Sequence, residues 1–437
     1  MIYQDFMNKP LFRAIYEAIY THIASKEYII ATTADKYERW QNVTINEFIK
    51  TIFNSRGNKR QDFTSSNTRI ATNYFYNFNT QRNSYSLGNG VIFQKKDTAE
   101  KLGKMFNETI YQAGYSSLIH GVSYLFYNLD KVEYFKLTEF VPLFDENTSQ
   151  LVAGIRFYQI EQDKPMLITL YEIDGYTEFR LDKEVITLVK EKRPYVTKVT
   201  ATKADGVIDI KAENYNAFPI VPLYARRLRQ STLIGFREQI DSYDLILSGF
   251  ANDLKDVAQI FWLINGADGM SEEELSQFRE RLLLTHVANV DSDNADIKPY
   301  SQEIPFNSRL AFLEKIEQAM YRDFGMINLE RLIGGEKTST EIIAMYQVMD
   351  EHASDFEVNI KIALNKILEL AKIEDDISFV RNRVINTKEM VEIAIMQAEY
   401  IDRKTLLKLF PNIKNEDIDE IIKLKEEEVN EPQIDIE

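Results

Sequence analysis

Apolar residues recur at helical spacing through roughly the first 120 positions. Ile15, Ile19 and Ile23 stand four apart, which puts them on one helix face. Ile45, Phe48, Ile49 and Ile52 keep helical spacing as well. Thr44, three residues before Glu47, predicts a capping box opening that helix. Residues 67–76 also read as helix, and Ser86-Leu87-Gly88-Asn89-Gly90 ends the pattern. A further helix is expected over 98–120, with Leu102, Met105, Phe106, Ile110, Tyr111 and Tyr115 along one side.

From 121 to about 228 the period changes. Short alternating or β-branched runs predict strands at 122–127, 154–158, 166–171, 176–181 and 196–199, punctuated by Pro142, Pro165, Pro194, Pro219 and Pro222. This is a small antiparallel β module between helical parts, with Asp174-Gly175 as a hairpin turn.

Helical spacing then returns on a larger scale. Phe236, Ile240, Tyr243, Leu247, Phe250, Leu254, Val257, Phe261 and Ile264 recur in steps of three and four, predicting one helix over 231–264. Such a helix would be about 50 Å long. That length suits a stalk, a coiled coil or a subunit-packing element, or a long central helix of an ordinary helical domain. An insertion follows over 265–305, in which Ser271 caps a short helix opened by Glu272, Glu273 and Glu274. A second helix is expected over 307–323. A loop with glycines at 325, 334 and 335 covers 324–337.

Thr338 and Glu341 form a second capping-box pattern. The helix they open carries Ile342, Met345, Met349, Ala353, Phe356, Ile360, Ala363 or Leu364, and Ile367 on one stripe to about 372. A helical pair over 387–409 and 415–428 closes the pattern. The fold class is therefore α+β, mainly helical, with long helices and a small antiparallel β module.

Composition narrows the function. The 437 residues include 52 basic and 68 acidic side chains, a net charge of -16. Such a chain does not grip a polyanion over a broad surface, although it can surround or repel one. The last 22 residues hold ten acids and two lysines, a net of -8, and read as a solvated, frayed tail. With no cysteine there is no disulfide, thiolate zinc site or cysteine nucleophile. His22, His120, His286 and His352 stand far apart. The first residues lack a signal-peptide pattern, and no apolar run approaches membrane-span length, so no membrane association is expected. The 24 Tyr and 26 Phe against 2 Trp fit aromatic interfaces in a large assembly, or a low-GC coding bias, which weighs more heavily.

Candidate chemistry is sparse. No phosphate loop ends in Gly-Lys-Ser/Thr. Gly334-Gly335-Glu336-Lys337-Thr338 lacks its first glycine, and Leu87-Gly88-Asn89-Gly90 lacks the third glycine of a dinucleotide site. The acidic run at 291–296 has no turn glycine and no closing glutamate for calcium. Asp253 and Asp256, three apart, suit either carboxylate metal ligands or salt bridges across a helix interface, the latter being the simpler. Arg226, Arg227 and Arg229 suit phosphates or the acids of a neighbouring subunit. No catalytic, cofactor-binding or metal-ligating residue is assigned.

Four stretches resemble the portal proteins of tailed bacteriophages. They are Asn67-Thr68-Arg69-Ile70 with Asn73, running into Ser84-Tyr85-Ser86-Leu87-Gly88-Asn89-Gly90; Gly121-Val122-Ser123-Tyr124-Leu125; Asn216-Ala217-Phe218-Pro219-Ile220-Val221-Pro222, which lacks the family's glycine; and a helix motif. That motif, Asp241, Tyr243, Asp244, Ser248, Asn252 and Asp253, follows Ile240 and is the closest match.

The resemblance implies a non-enzymatic homo-oligomeric ring, twelve-fold in the particle, at one capsid vertex. The ring would form the channel for double-stranded DNA during packaging and ejection. It implies a wing over 1–230, stem helices over 231–264 and 306–323, and a clip over 265–305. A channel loop over 324–338, a long wing helix over 339–374 and a short crown over 375–437 follow. Stem packing falls to Phe236, Ile240, Tyr243, Leu247, Phe250, Leu254 and Val257. The channel loop presents Met326, Ile327, Leu329, Arg331, Leu332 and Lys337. Implied partners are the terminase large subunit, scaffold and major capsid proteins, and a head-completion adaptor, with no cofactor. The implied location is the virion, with assembly in the host cytoplasm. A different helical scaffold or adaptor, or a carboxylate-metal enzyme, are the alternatives.

Overall fold

The computed structural model describes the chain except residues 54–56, 63–64, 96, 162, 202–207, 257–260, 266–270, 272, 275–276, 278–295, 301–305, 329–338, 383–394, 397, 399–400, 409, 411–412, 414–417 and 431–437. The helices are α1 (Tyr3–Met7), α2 (Leu11–Ile23), α3 (Lys26–Glu38), α4 (Val43–Asn46), α5 (Tyr74–Leu87), α6 (Thr98–Lys101), α7 (Phe106–His120), α8 (Arg237–Asp256), α9 (Phe306–Phe324), α10 (Ser339–Ala371), α11 (Arg403–Lys408) and α12 (Ile418–Asn430). The strands are β1 (Thr51–Phe53), β2 (Lys59–Gln61), β3 (Val91–Phe93), β4 (Val122–Asn128), β5 (Lys131–Lys136), β6 (Phe140–Phe144), β7 (Leu151–Tyr158), β8 (Met166–Glu172), β9 (Gly175–Asp182), β10 (Val185–Arg193), β11 (Val196–Ala201), β12 (Ile208–Glu213), β13 (Ile220–Tyr224), β14 (Phe261–Asn265), β15 (Asp296–Tyr300) and β16 (Ile377–Phe379). The fold is α+β, as its sequence pattern implies.

Two compact units form. The first comprises Met1–Ala31, Phe78–Ser231 and Gly325–Glu437; the second comprises Thr32–Asn77 and Thr232–Phe324.

The first unit is built on antiparallel sheets. A five-stranded sheet runs β10-β9-β8-β7-β6, and a three-stranded one runs β13-β4-β5. The β8–β9 hairpin turns through Ile173 and Asp174, with Glu172 opposite Gly175, at the expected place. Ala14, Ile15, Ala18 and Ile19 of α2 share one core with Ile155, Ile168 and Phe179 of the larger sheet. In β4 both faces are buried. Leu125 and Tyr127 join the core of α7 and α10, while the alternate residues Val122, Tyr124 and Phe126 join an aromatic core with Phe135 and Phe140. The 33-residue α10 is about 50 Å long and buries Phe356, Ile360, Ala363, Leu364 and Ile367. From Met349 through Ala353 to Ile367 its buried stripe matches the expected one, with Tyr346 buried beside it.

Several boundaries differ from their sequence expectation. Residues 67–73 are not helical; α5 begins at Tyr74. Ile52 lies in β1, and α4 spans only Val43–Asn46. The helix expected over 98–120 is broken into α6 and α7 at Gly103, whose φ of 118° leaves the helical region. Helix α8 spans 20 residues, about 30 Å, rather than 231–264. Phe261 and Ile264 instead belong to β14, which pairs antiparallel with β15. A continuous apolar run fits strand or helix equally by periodicity, and here the pairing partner decides.

Besides β1, β14 and β15, strands β2, β3, β5, β6, β10, β12, β13 and β16 go beyond those anticipated. Strand β10 is an exposed sheet edge, so it lacks the buried alternation that signals a strand. Part of the acidic tail is the ordered helix α12. The expected helix from 387, the cap at Thr338 and most of the acidic run at 291–296 lie outside the described residues.

Candidate functional site

The helix motif gathers on α8 in the second unit. Asp244, Ser248 and Asn252 stand four apart, so they line one face. All three are buried. Asp244 Oδ1 accepts the Thr72 amide at 3.1 Å and the Thr72 hydroxyl at 2.7 Å. Ser248 Oγ accepts the Ile70 amide at 2.9 Å. Asn252 Oδ1 accepts the Thr68 amide at 2.6 Å, while its Nδ2 donates to the Thr68 carbonyl at 3.2 Å.

A physical match explains this ladder. Four residues of helix rise about 6 Å. Two residues of extended chain rise about 6.6 Å. Polar side chains at every fourth helical position therefore meet every second amide of an extended segment, and α8 acts toward 68–72 as the edge of a sheet would. This is why 67–73 is not helix: its amides are held by side chains rather than by its own carbonyls.

A second layer surrounds Asp241. Its carboxylate accepts Tyr37 Oη at 2.5 Å and Thr44 Oγ1 at 2.6 Å, and Arg237 Nε lies 3.3 Å away. Asn42 Nδ2 donates to Asp244 Oδ2 at 2.5 Å and to the Thr72 carbonyl at 3.0 Å. Burial pushes the Asp244 carboxyl up to about 6, opposed by the Asn42 and Thr72 hydrogen bonds. Burial also pushes Tyr37 up to about 12, helped by its bond to Asp241.

Thr44 thus binds Asp241 and does not cap a helix. Tyr37, Asn42 and Thr72 escaped sequence reading because they stand about 200 positions from their partners, although the polar triplet on an apolar-striped helix was a visible signal.

The apolar stripe of α8 grades from buried to exposed. Phe236 and Ile240 are buried; Tyr243, Leu247 and Phe250 are half-buried; Leu254 is 53% exposed; Val257 lies outside the described residues. Helix α9 packs antiparallel to α8, with Phe236 4.8 Å from Phe324 and Phe250 5.3 Å from Phe306. Tyr74 packs edge-on to Tyr243 at 5.3 Å and donates to Glu317 at 3.1 Å. Asp253 forms an ion pair with Arg309 of α9, which accounts for its charge without a metal. Among the described residues no three His, Cys, Asp or Glu gather to hold an ion. Beside the Asp253 pair, an open groove of about 490 Å³ is lined by Leu245, Ile246, Gly249, Ser308, Arg309 and Phe312.

Of the expected channel-loop residues, Met326 and Ile327 are buried in the first unit, where Gln81 Nε2 lies 3.5 Å from the Ile327 carbonyl. Their burial leaves them no free face for a channel. Gly325 has a φ of 70°, and a Cβ there would stand 2.3 Å from the His352 ring, so glycine is required. Leu329, Arg331, Leu332 and Lys337 lie outside the described residues. Among the described residues, no helix is long and apolar enough to cross a membrane.

The family model "Phage portal protein, SPP1 Gp6-like" matches residues 19–431. The portal protein of Clostridium phage phiCD119 is 22% identical over 303 residues, covering 66% of this chain and 64% of that protein. The portal protein of Bacillus phage SPP1 is 24% identical over 340 residues, covering 72% and 64%. The chain thus matches somewhat under two thirds of the length of each of these curated relatives. A chain in the neck of a native gene transfer agent particle computed with C12 symmetry is 12% identical, with a TM-score of 0.41, and the match covers 77% of this chain and 89% of that one. The family match over nearly the whole sequence is decisive: the chain belongs to the phage portal protein family, SPP1 Gp6-like.

Proposed function

We propose that copies of this chain close into a twelve-membered ring at one vertex of a phage capsid. The ring is the channel through which double-stranded DNA is packaged and ejected. The observation that carries this reading is the graded stripe of α8, whose distal half, from Leu247 to the 53%-exposed Leu254, has apolar surface to spare. A ring buries such surface against the next copy. Helices α8 and α9 are the stem, β14 to β15 bound the clip, the first unit up to residue 374 supplies most of the wing, and residues from 375 onward form the crown.

The channel loop is the part of 324–338 that follows the buried Met326 and Ile327. Its Arg331 and Lys337 offer weak phosphate contacts. A wall carrying net negative charge suits passage over retention. The chain itself performs no catalytic step; ATP hydrolysis falls to the terminase large subunit docked on the clip. Scaffold, major capsid protein and a head-completion adaptor are the other partners.

Light scattering tests the ring: the expected mass is a multiple of 51.0 kDa, with a central hole in negative stain. A monomer mass would overturn it. Leu254→Asp should abolish rings on size exclusion, because assembly would bury an unpaired charge. Normal rings from that variant would move the interface elsewhere. Arg331→Glu should leave ring mass unchanged yet lower the DNA packaged or retained per particle, since a like charge then faces the backbone. Wild-type packaging and retention would remove Arg331 from the channel wall.

A further inference from the structure

The first unit carries a second surface whose charge opposes that of the chain. A groove of about 1300 Å³ runs between the solvent side of α10 and strand β13. It exceeds the roughly 300–1,000 Å³ of small-molecule pockets, which points to a polymer segment. Its apolar lining includes Tyr127, Phe218, Ile173 and Ile362, the last two more than half exposed. Its cations are Arg227, Arg229, Lys366 and Lys372, against one acid, Glu369. All four are exposed, and none has an ion-pair partner among the described residues.

Arg229 is pre-positioned. Its φ of 52° is unusual for a side-chain-bearing residue, its amide bonds the Arg226 carbonyl at 2.9 Å, and its guanidinium lies 4.6 Å from the Tyr224 ring centroid. In a chain of net charge -16, such a groove is a local reversal of sign.

We propose that this groove is a receptor for an extended acidic peptide, and that its occupant is residues 431–437 of the same chain. The sequence Glu431-Pro432-Gln433-Ile434-Asp435-Ile436-Glu437 alternates isoleucine with acid. In an extended chain that alternation turns two isoleucines to one side and two carboxylates to the other. The groove offers an apolar floor and a cationic rim in the same way. The segment follows α12 in the same chain as the groove, so tethering raises the effective concentration and favours the chain's own segment over a neighbour's. This proposal does not rest on the ring.

The absence of cysteine makes the test clean. Ile362→Cys with Ile434→Cys, and separately Ile173→Cys with Ile436→Cys, are oxidised in the full chain and run on non-reducing gels. At least one pair should close into a disulfide within one chain, and Arg229→Glu with Lys366→Glu should abolish it. A disulfide demands Cα atoms within about 7 Å, so closure reports seating. A ladder of linked chains would assign the groove to a neighbour's segment and overturn the in-chain occupant. No closure by either pair would overturn the receptor. As a second readout, a labelled peptide of residues 431–437 should bind protein truncated after Asn430, and the same peptide with its acids changed to lysine should not. Equal binding of both would also overturn the proposal.

Discussion

Phe356 in the first unit and Asp244 in the second are both buried almost completely, yet they secure their surroundings in opposite ways. Phe356 sits in a core of Ile110, Leu125, Ile360 and Leu364, where shape and apolar area do the holding. Asp244 sits in a set of named donors, each with a fixed partner. The first arrangement tolerates replacement by another apolar residue of similar volume. The second tolerates little, because a one-residue slip of 68–72 would break three amide bonds together. The β-rich unit is thus secured by volume and the helical unit by register.

The contrast can be tested where each unit is most committed. Phe356→Ala should have the largest effect, about 3–5 kcal/mol, from lost burial and the cavity left behind. Hydrogen exchange should quicken across α7 and α10 while the Thr68, Ile70 and Thr72 amides stay protected. Asp244→Ala should follow at roughly 2–4 kcal/mol, since the Thr72 amide and hydroxyl and the Asn42 amide lose a buried acceptor. It should speed exchange at Thr72 and leave α10 unchanged. If each variant loosens both units equally, the division between volume and register fails.

The smallest effect concerns pH, and its sign differs between the units. Asp244 is raised from 3.8 to about 6 by burial. Its contribution is therefore complete below about pH 4 and lost as pH rises through about 6. His352 is lowered from 6.5 to about 4 by burial and by the charges of Arg82 and Arg226. Its contribution is complete above about pH 6.5 and lost as pH falls toward 4. Acidification across that window should weaken protection around His352 and strengthen it around Thr72. Asp244→Asn and His352→Asn should each cancel one trend; parallel trends in both units would contradict the assignment.

Much of this was legible in sequence where one element carries its own period. The stripes of α2 and α10 and the β8–β9 turn needed no partner to be read. Residues 67–73 failed because their local pattern is helix-compatible and only α8, some 170 positions away, decides otherwise. The FWLIN run of β14 failed for the same kind of reason: its partner β15 lies inside the stretch 265–305 expected as an insertion. In the site, Asp244, Ser248 and Asn252 were visible as a motif. Their role was not, because side chains binding a backbone leave no complementary residue type in the segment they bind.

The two sides of the ladder differ in how far they can change. Ser248 and Asn252 recognise only peptide groups of the bound segment, so they are blind to what 68 and 70 carry. The segment can drift through almost any residue at 70, while Thr68 keeps one tie of its own, its hydroxyl accepting Lys255 Nζ at 2.7 Å; proline is barred at both because it has no amide to give. Thr72 is freer than Asp244 but less free than Ile70, since its hydroxyl is used as well. The helix has no such latitude. Substitution tolerance across this contact is therefore one-sided: a record of changes in 68–72 would look like a loop, while the fixed letters that specify its shape are written on α8.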